Sequence, residues 1–224
     1  MEQIEKAAVS ATAAGRQAFR VLNAGSGSRA ARQLHRAFRP VDWQELRIDV
    51  DARAEPDVVG SITDMTEAFA AESFDAVWSS HVLEHLFAHQ VPLALAEFRR
   101  VLKPDGFALI TSPDLEAVVE VIGRHGLNHV AYVSSAGPIT PLDMLFGHGA
   151  SIARGREAMA HRTGFFCTSL GDLLIEAGFA SVLARRDQFD LWALALMPEA
   201  DQAGICGMLK AGGLDMLEEA EADA

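Results

Sequence analysis

Two cysteines and one tyrosine in 224 residues, and 19 Lys and Arg set against 31 Asp and Glu, each remove a class of protein from consideration. Cys167 and Cys206 cannot build a disulfide framework, and neither belongs to a C-x-x-C pair of the kind used in redox or zinc chemistry, so both read as inert thiols. A formal charge of −12 leaves no surplus of cations to neutralise a phosphate backbone, so neither nucleic acid nor an anionic membrane surface is expected as a partner. No apolar run approaches the roughly 20 residues of a membrane span. The opening MEQIEKAAVSATAAG lacks the charged-then-apolar layout of a secretory signal, which makes a cytoplasmic location the expectation. The segment 199–224 closes on LDMLEEAEADA, acidic and without a core pattern, and predicts a mobile tail.

The chain does have a hydrophobic half, enough to bury the core of one domain spanning 1–224. From residue 18 onward, short β-rich runs alternate with helical patterns, which predicts an α/β fold with a doubly wound, mostly parallel sheet. The predicted strands are AFRVLNA (18–24), ELRIDV (45–50), PDVVGSI (56–62), FDAVWSS (74–80) and GFALITS (106–112). Ala94, Leu95, Phe98, Val101 and Leu102 share one helix face that Pro104 and Gly106 terminate. Leu170, Leu173, Leu174 and Ala177 form another, with Thr168 or Ser169 as N-cap and Gly178 as stop. SVLARR and FDLWALALM follow closely enough to form a hairpin at the sheet edge. Arg29, Arg32, Arg36 and Arg39 recur at helical spacing and read as the solvated face of an amphipathic helix. Segment 113–166 breaks the alternation: it is far longer than an ordinary connection and is read as an inserted, lid-like element.

In VLNAGSGSRA, Gly25 and Gly27 follow the first strand directly in a G-x-G-x-x-A pattern, the context of a nucleotide-binding loop. Glycine is required there because the backbone must turn tightly and approach a ligand without a Cβ. Asp49 closes the second strand, where a carboxylate can accept hydrogen bonds from both ribose hydroxyls; Asp51, two positions on, is the alternative. The pair reads as an adenosine site, suited to NAD or to S-adenosylmethionine.

SSHVLEHL holds His81, Glu84 and His85 in the order H-x-x-E-H of one class of zinc protease. Such a protease needs both histidines one turn apart on a helix, whereas FDAVWSS is a strand and puts His81 at its end. A further acidic ligand would also be needed, and Glu157 and Glu176 lie in no supporting motif. Glu84 and His85 are therefore read as structural, His81 as lining the cofactor pocket, and no metal is expected; a divalent ion on His81, Glu84 and His85 is the alternative.

Taken in order, VLNAGSGS, LRIDVD, DVVGSITDM, SFDAVWSSHVLEHL, EFRRVLKPDGFALITSPD and LLIEAGF resemble the class I S-adenosylmethionine-dependent methyltransferases, in particular those of small molecules. The resemblance is close over 18–112 and looser over 165–197. It implies a seven-stranded Rossmann-like sheet with an antiparallel edge strand, S-adenosylmethionine as cofactor and a small-molecule methyl acceptor. By the same resemblance Ala24, Gly25, Ser26 and Gly27 border the methionine part, Asp49 holds the ribose, and Val50, Ser61 and Ile62 meet the adenine. Ser79 and Ser80 face the amino group and the substrate. The family often carries Asp where this chain has Ser61.

Methyl transfer of this kind needs alignment more than leaving-group chemistry, with a general base where the nucleophile is a hydroxyl or a protonated amine. His148 and His161 of the insertion are the candidate catalytic bases and Tyr132 a candidate substrate contact. An NAD(P)-dependent oxidoreductase and a non-catalytic S-adenosylmethionine-binding module are the alternatives.

Overall fold

The computed structural model describes residues 18–31, 34–134 and 136–217. Its main sheet is built from β1 (Phe19–Ala24), β2 (Trp43–Asp49), β3 (Val58–Val59), β4 (Phe74–Ser80), β5 (Leu102–Pro113), β8 (Ser181–Asp187) and β9 (Asp190–Leu196), in the order β3-β2-β1-β4-β5-β9-β8. A small hairpin of β6 (Tyr132–Ser134) and β7 (Gly137–Ile139) stands apart from it. β1 to β5 are parallel; β9 runs antiparallel to β5 and β8 antiparallel to β9, so the expected hairpin forms the sheet edge. The central strands are apolar on both sides, as a sheet covered on both faces requires. Val21, Leu22, Ala76, Val77, Leu109 and Ile110 have no exposed surface.

One face is covered by α1 (Val91–Val101) and α5 (Cys167–Glu176), whose Leu95, Phe98, Leu170 and Leu174 meet Leu22, Val77, Ile110 and Ala193. The N-cap of α5 is Phe166, one turn ahead of Ser169, whose Oγ accepts the Phe166 amide at 3.0 Å. Ser169 is thus the N3 member of the cap and neither it nor Thr168 is the N-cap itself. The opposite face differs from expectation. Among the described residues between β1 and β2 there is no α-helix; two 3-10 turns, Arg29–Ala31 and Arg36–Phe38, stand there, and Arg32 lies outside the described residues. His35 caps the second turn, and Phe38 fills the space of a helix side by packing on Trp43, Trp78 and Phe107.

The rest of that face is covered by α6 (Gln202–Ala211). The expected mobile tail 199–224 therefore starts as a docked helix: Asp201 caps it, and Cys206, Leu209, Leu214 and Met216 are buried against Phe38 and Leu194. Gly204 and Gly207 inside α6 weaken the helical signal that Ile205, Cys206, Met208 and Leu209 carry, next to the acidic run that follows. β3 is also shorter than the predicted run: the Gly60 amide makes a last bond to the Asp49 carbonyl at 3.0 Å, and the chain then turns, with the Asp64 amide donating to the Ser61 carbonyl at 3.4 Å.

Between β5 and α5 the chain adds α2 (Leu115–His125), the β6–β7 hairpin, α3 (Pro141–Phe146) and α4 (Gly149–Ile152). This excursion leaves and rejoins the body at one point, where the Leu115 amide donates to the Phe165 carbonyl at 3.2 Å. Buried Asp114 caps α2 and is ion-paired with Arg186 of β8. The excursion also carries a small apolar cluster of its own, Val118, Ile139 and Met144, separate from the two sheet-face cores. No helix among the described residues is long and apolar enough to cross a membrane.

If α6 closes the second face, Leu209→Ala should cost about 2–5 kcal/mol of unfolding free energy, the range for a fully buried Leu, read from urea denaturation. A change of a few tenths would mean that the helix is not docked.

Candidate functional site

The carboxyl ends of β1, β2 and β4 meet at the glycine loop. Gly25 and Gly27 have φ of +70° and +59°, the left-handed region open to glycine. A Cβ on Gly25 would overlap both methyls of Val82, so the turn after β4 is packed directly on the loop. The amides of Gly25 and Ser26 both donate to the Ile48 carbonyl, at 2.9 and 3.1 Å. Gly27 and Asp51 donate their amides to the two oxygens of Asp49, each at 2.8 Å. A carboxylate has about four acceptor positions, so two remain on Asp49. Asp51, the other acid considered, caps a 3-10 turn and pairs with Arg53, whose hydrogen bond lowers its pKa.

Beneath the loop lies Arg47, 4% exposed, which donates to the Gly27 carbonyl at 2.7 Å and to the Glu55 carbonyl at 3.3 Å. Its role was invisible in the sequence, since an Arg inside a strand carries no motif. Val50 is exposed beside Asp49. Ser61 Oγ is engaged with Thr63 Oγ1 at 2.7 Å, and Ile62 is buried in the core, so only the Ile62 backbone is available to a ligand.

At the end of β4, Ser79 is fully buried and Ser80 Oγ accepts from Thr111 Oγ1 at 2.9 Å. His81 follows with φ of +54°, a strained value for a non-glycine residue, held by donation of its amide to the Thr111 carbonyl at 3.0 Å. Its ring lies between Glu84 Oε1 at 3.4 Å and Asp190 Oδ1 at 3.3 Å. Burial alone would lower the His81 pKa; Asp190 and Glu84 outweigh it and raise it to about 10. Asp190, at the start of β9, was not singled out in the sequence because its neighbours form only a hairpin turn. His81 and Asp190 line a cavity of about 360 Å³ together with Ser80, Thr111, Trp78 and Trp192.

Of the H-x-x-E-H residues, Glu84 and His85 sit on a 3-10 turn, Leu83–His85, while His81 precedes that turn at the end of β4, so the two histidines do not share an α-helix. The fold brings His161 of the insertion to Glu84 and His85: one ligand atom from each of the three lies within 4.8 Å of the others. Burial lowers the His161 pKa, with Glu84 pulling the other way. His148 instead engages Ser151 Oγ at 2.8 Å, at the start of α4. Tyr132 stacks on Phe189 with ring centroids 5.6 Å apart, next to the His81 partner Asp190. Its pKa is raised by burial and by the charges of Asp190 and Asp143.

Residues 22–110 match the family model described as a methyltransferase domain. No curated protein sequence matches the chain. Among solved structures, the trans-methyltransferase CalH in complex with SAH is 15% identical with a TM-score of 0.54, over 81% of this chain and 52% of that one. The citrinin polyketide synthase CMeT domain is 14% identical with a TM-score of 0.54, over 82% of this chain and 47% of that one. A SAM-dependent methyltransferase from Archaeoglobus fulgidus is 14% identical with a TM-score of 0.50, over 80% and 86%. The chain thus spans about half the length of the first two. The likeness gives the fold.

S-adenosylmethionine fits the residues present. Gly25 and Gly27 leave a cradle without side chains, Asp49 keeps free acceptor positions, and the buried hydroxyls of Ser26 and Ser79 have no hydrogen-bond partner among the described residues. Replacing Asp49 with Ala should weaken S-adenosylmethionine binding by about 1.5–3 kcal/mol, the range for a hydrogen bond to a charged group, measured by calorimetry. An unchanged Kd would place the ribose elsewhere.

Proposed function

We infer that this chain is a class I S-adenosylmethionine-dependent methyltransferase, and that it transfers the methyl group to a small-molecule acceptor seated at the carboxyl ends of β4 and β5. The observation that carries this reading is the cavity of about 360 Å³ beside His81. Its volume is that of a small-molecule pocket, and Trp78 and Trp192, stacked with centroids 6.0 Å apart, give it an aromatic wall.

When bound, S-adenosylmethionine supplies a methyl group on a sulfonium and leaves as a neutral thioether, so the protein has no leaving group to protonate. The work of the side chains is to hold the acceptor in line and to take up a proton where the accepting atom carries one. His148 and His161, the bases expected from the sequence, do not line this cavity, and in this reading the base is sought among the groups that do. Three titratable groups that do line it can be sorted by their hydrogen bonds. His35 Nδ1 accepts the Ala37 amide at 3.3 Å, so its Nε2 carries the proton and can only donate. His81, pressed between two carboxylates, holds its proton firmly. Asp190 is left as the proton acceptor, and the His81 imidazolium beside it orients its carboxylate.

The 113–166 insertion is read as the lid of this site. Tyr132 stands over Phe189 beside Asp190, and Phe189 also packs on the apolar cluster of the insertion, whose buried members lie outside the two sheet-face cores, so the element can shift without opening those cores.

Three experiments test the reading. With S-adenosylmethionine labelled in the methyl group and a metabolite extract, label should appear in an extractable small molecule; label fixed to protein or RNA would overturn the acceptor class. Asp190→Asn should lower kcat about 10²–10⁴-fold, the usual contribution of a general base, with cofactor binding kept. Excising 128–160 through a Gly/Ser linker should leave cofactor affinity within about tenfold, or about 1.4 kcal/mol, yet abolish transfer. Parent-rate turnover by the shortened chain would place specificity outside the insertion.

A further inference from the structure

The sequence reading left Glu84 and His85 as packing residues, and the fold gives reason to revise it. Glu84 is 1% exposed, and neither of its carboxylate oxygens has a hydrogen-bond partner among the described residues. A buried carboxylate without partners is costly, and native structures pair such groups with cations or metals. His81 answers this need on one side only and at 3.4 Å, long for an N–H···O bond. On another side stand two imidazoles, His85 and His161, with ring centroids 4.9 Å apart and planes at 64°.

Both imidazoles are oriented by the backbone. His85 Nδ1 meets the Ala160 carbonyl at 3.2 Å, and His161 Nδ1 meets the Met144 carbonyl at 2.8 Å. A carbonyl oxygen only accepts, so each Nδ1 carries the proton and each Nε2 keeps its lone pair. Fixing one ring nitrogen on a carbonyl is how proteins set the tautomer of a metal-ligating histidine. The same strap is stitched to Glu84 by its backbone: the amides of Arg162 and Thr163 both donate to the Glu84 carbonyl, at 2.8 and 3.2 Å. Arg162 Nη1 donates to the His85 carbonyl at 2.7 Å.

We propose that Glu84, His85 and His161 bind one divalent transition-metal ion of the zinc class, which fastens the insertion to the turn after β4. Two imidazoles and a carboxylate are the donors that such ions prefer, and three protein ligands leave a position for water or a ligand heteroatom. Ligand bonds of about 2.0–2.2 Å place neighbouring donors about 3.3 Å apart in a tetrahedron. The present spacing of 4.8 Å or less therefore asks the side chains to close by at most about 1.5 Å, a change of rotamer and not of fold. The ion would lie outside the cavity lining, so the proposal stands apart from the identity of the acceptor.

The test uses the full-length protein stripped with a chelator and titrated with Zn²⁺ by calorimetry and with Co²⁺ by visible absorption. One equivalent should bind, with a Co²⁺ d–d band that reports nitrogen and oxygen ligation, and cofactor affinity should change little. Glu84→Gln and His161→Asn should each weaken Zn²⁺ binding at least tenfold and remove the band. S-adenosylmethionine binding, measured on the same samples, reports whether each variant is folded and whether the cofactor reading holds. The absence of a stoichiometric ion or band in the wild-type protein overturns the site. Zn²⁺ affinity unchanged in folded variants does so too.

Discussion

The contact of Gly25 with Val82 is the constraint from which the rest of the site follows. Only glycine lets the loop after β1 lie this close to the turn after β4, and the positive φ of Gly25 and Gly27 turns their amides toward Ile48 and Asp49. Seen from the other side, Val82 is fixed against the loop, and His81 just before it must take a left-handed backbone to connect the end of β4 with that position. One apolar contact thereby sets both the shape of the glycine loop and the course of the turn that carries His81, Glu84 and His85. The buried guanidinium of Arg47, bonded to the Gly27 and Glu55 carbonyls, holds the loop from below and links it to the turn that follows β2.

The insertion is attached to this framework by polar contacts more than by apolar ones. Its stem is held by Asp114 with Arg186 and by the bond from Leu115 to Phe165, and its return strap by the amides that donate to Glu84. Apolar contact is small, a cluster around Val118, Ile139 and Met144. An element fastened by a few directional bonds at its base, with little buried hydrocarbon, can open locally at less cost than the sheet-packing helices.

Much of the fold was legible because its signals are local. FDAVWSS reads as a strand in both descriptions, and the apolar face of α1 and the glycine stop at Gly178 obey spacing rules that depend only on neighbours in sequence. Asp49 and the glycines were legible for the same reason. What escaped notice depends on partners distant in the chain. Arg47 looked like a strand residue until Gly27 came to lie above it, Asp190 like a turn residue until His81 met it, and His161 like a lid histidine until the chain returned to Glu84. The arginine series from Arg29 has helical spacing, yet its described residues fall in or beside two 3-10 turns, and Phe38 and α6 fill that side of the sheet. The acidic tail misled in the opposite direction: charge at the very end hid the few buried residues of α6.

Among the described residues, the buried side-chain oxygens left without a hydrogen bond are concentrated along the same line. Ser26 follows β1, Ser79 and Glu84 lie at the end of β4 and on its turn, and Ser112 lies at the end of β5. A fold selected for stability alone would replace these groups with apolar ones, since each buried orphan costs on the order of 1–3 kcal/mol. Their alignment at the carboxyl ends of parallel strands, the position where open α/β sheets bind ligands, is what a site that completes its hydrogen bonds on binding would show. The stability given up there is recovered elsewhere, in the close-packed faces around Phe98 and Phe38, and this division lets one sheet be rigid at its centre and unsatisfied at its edge.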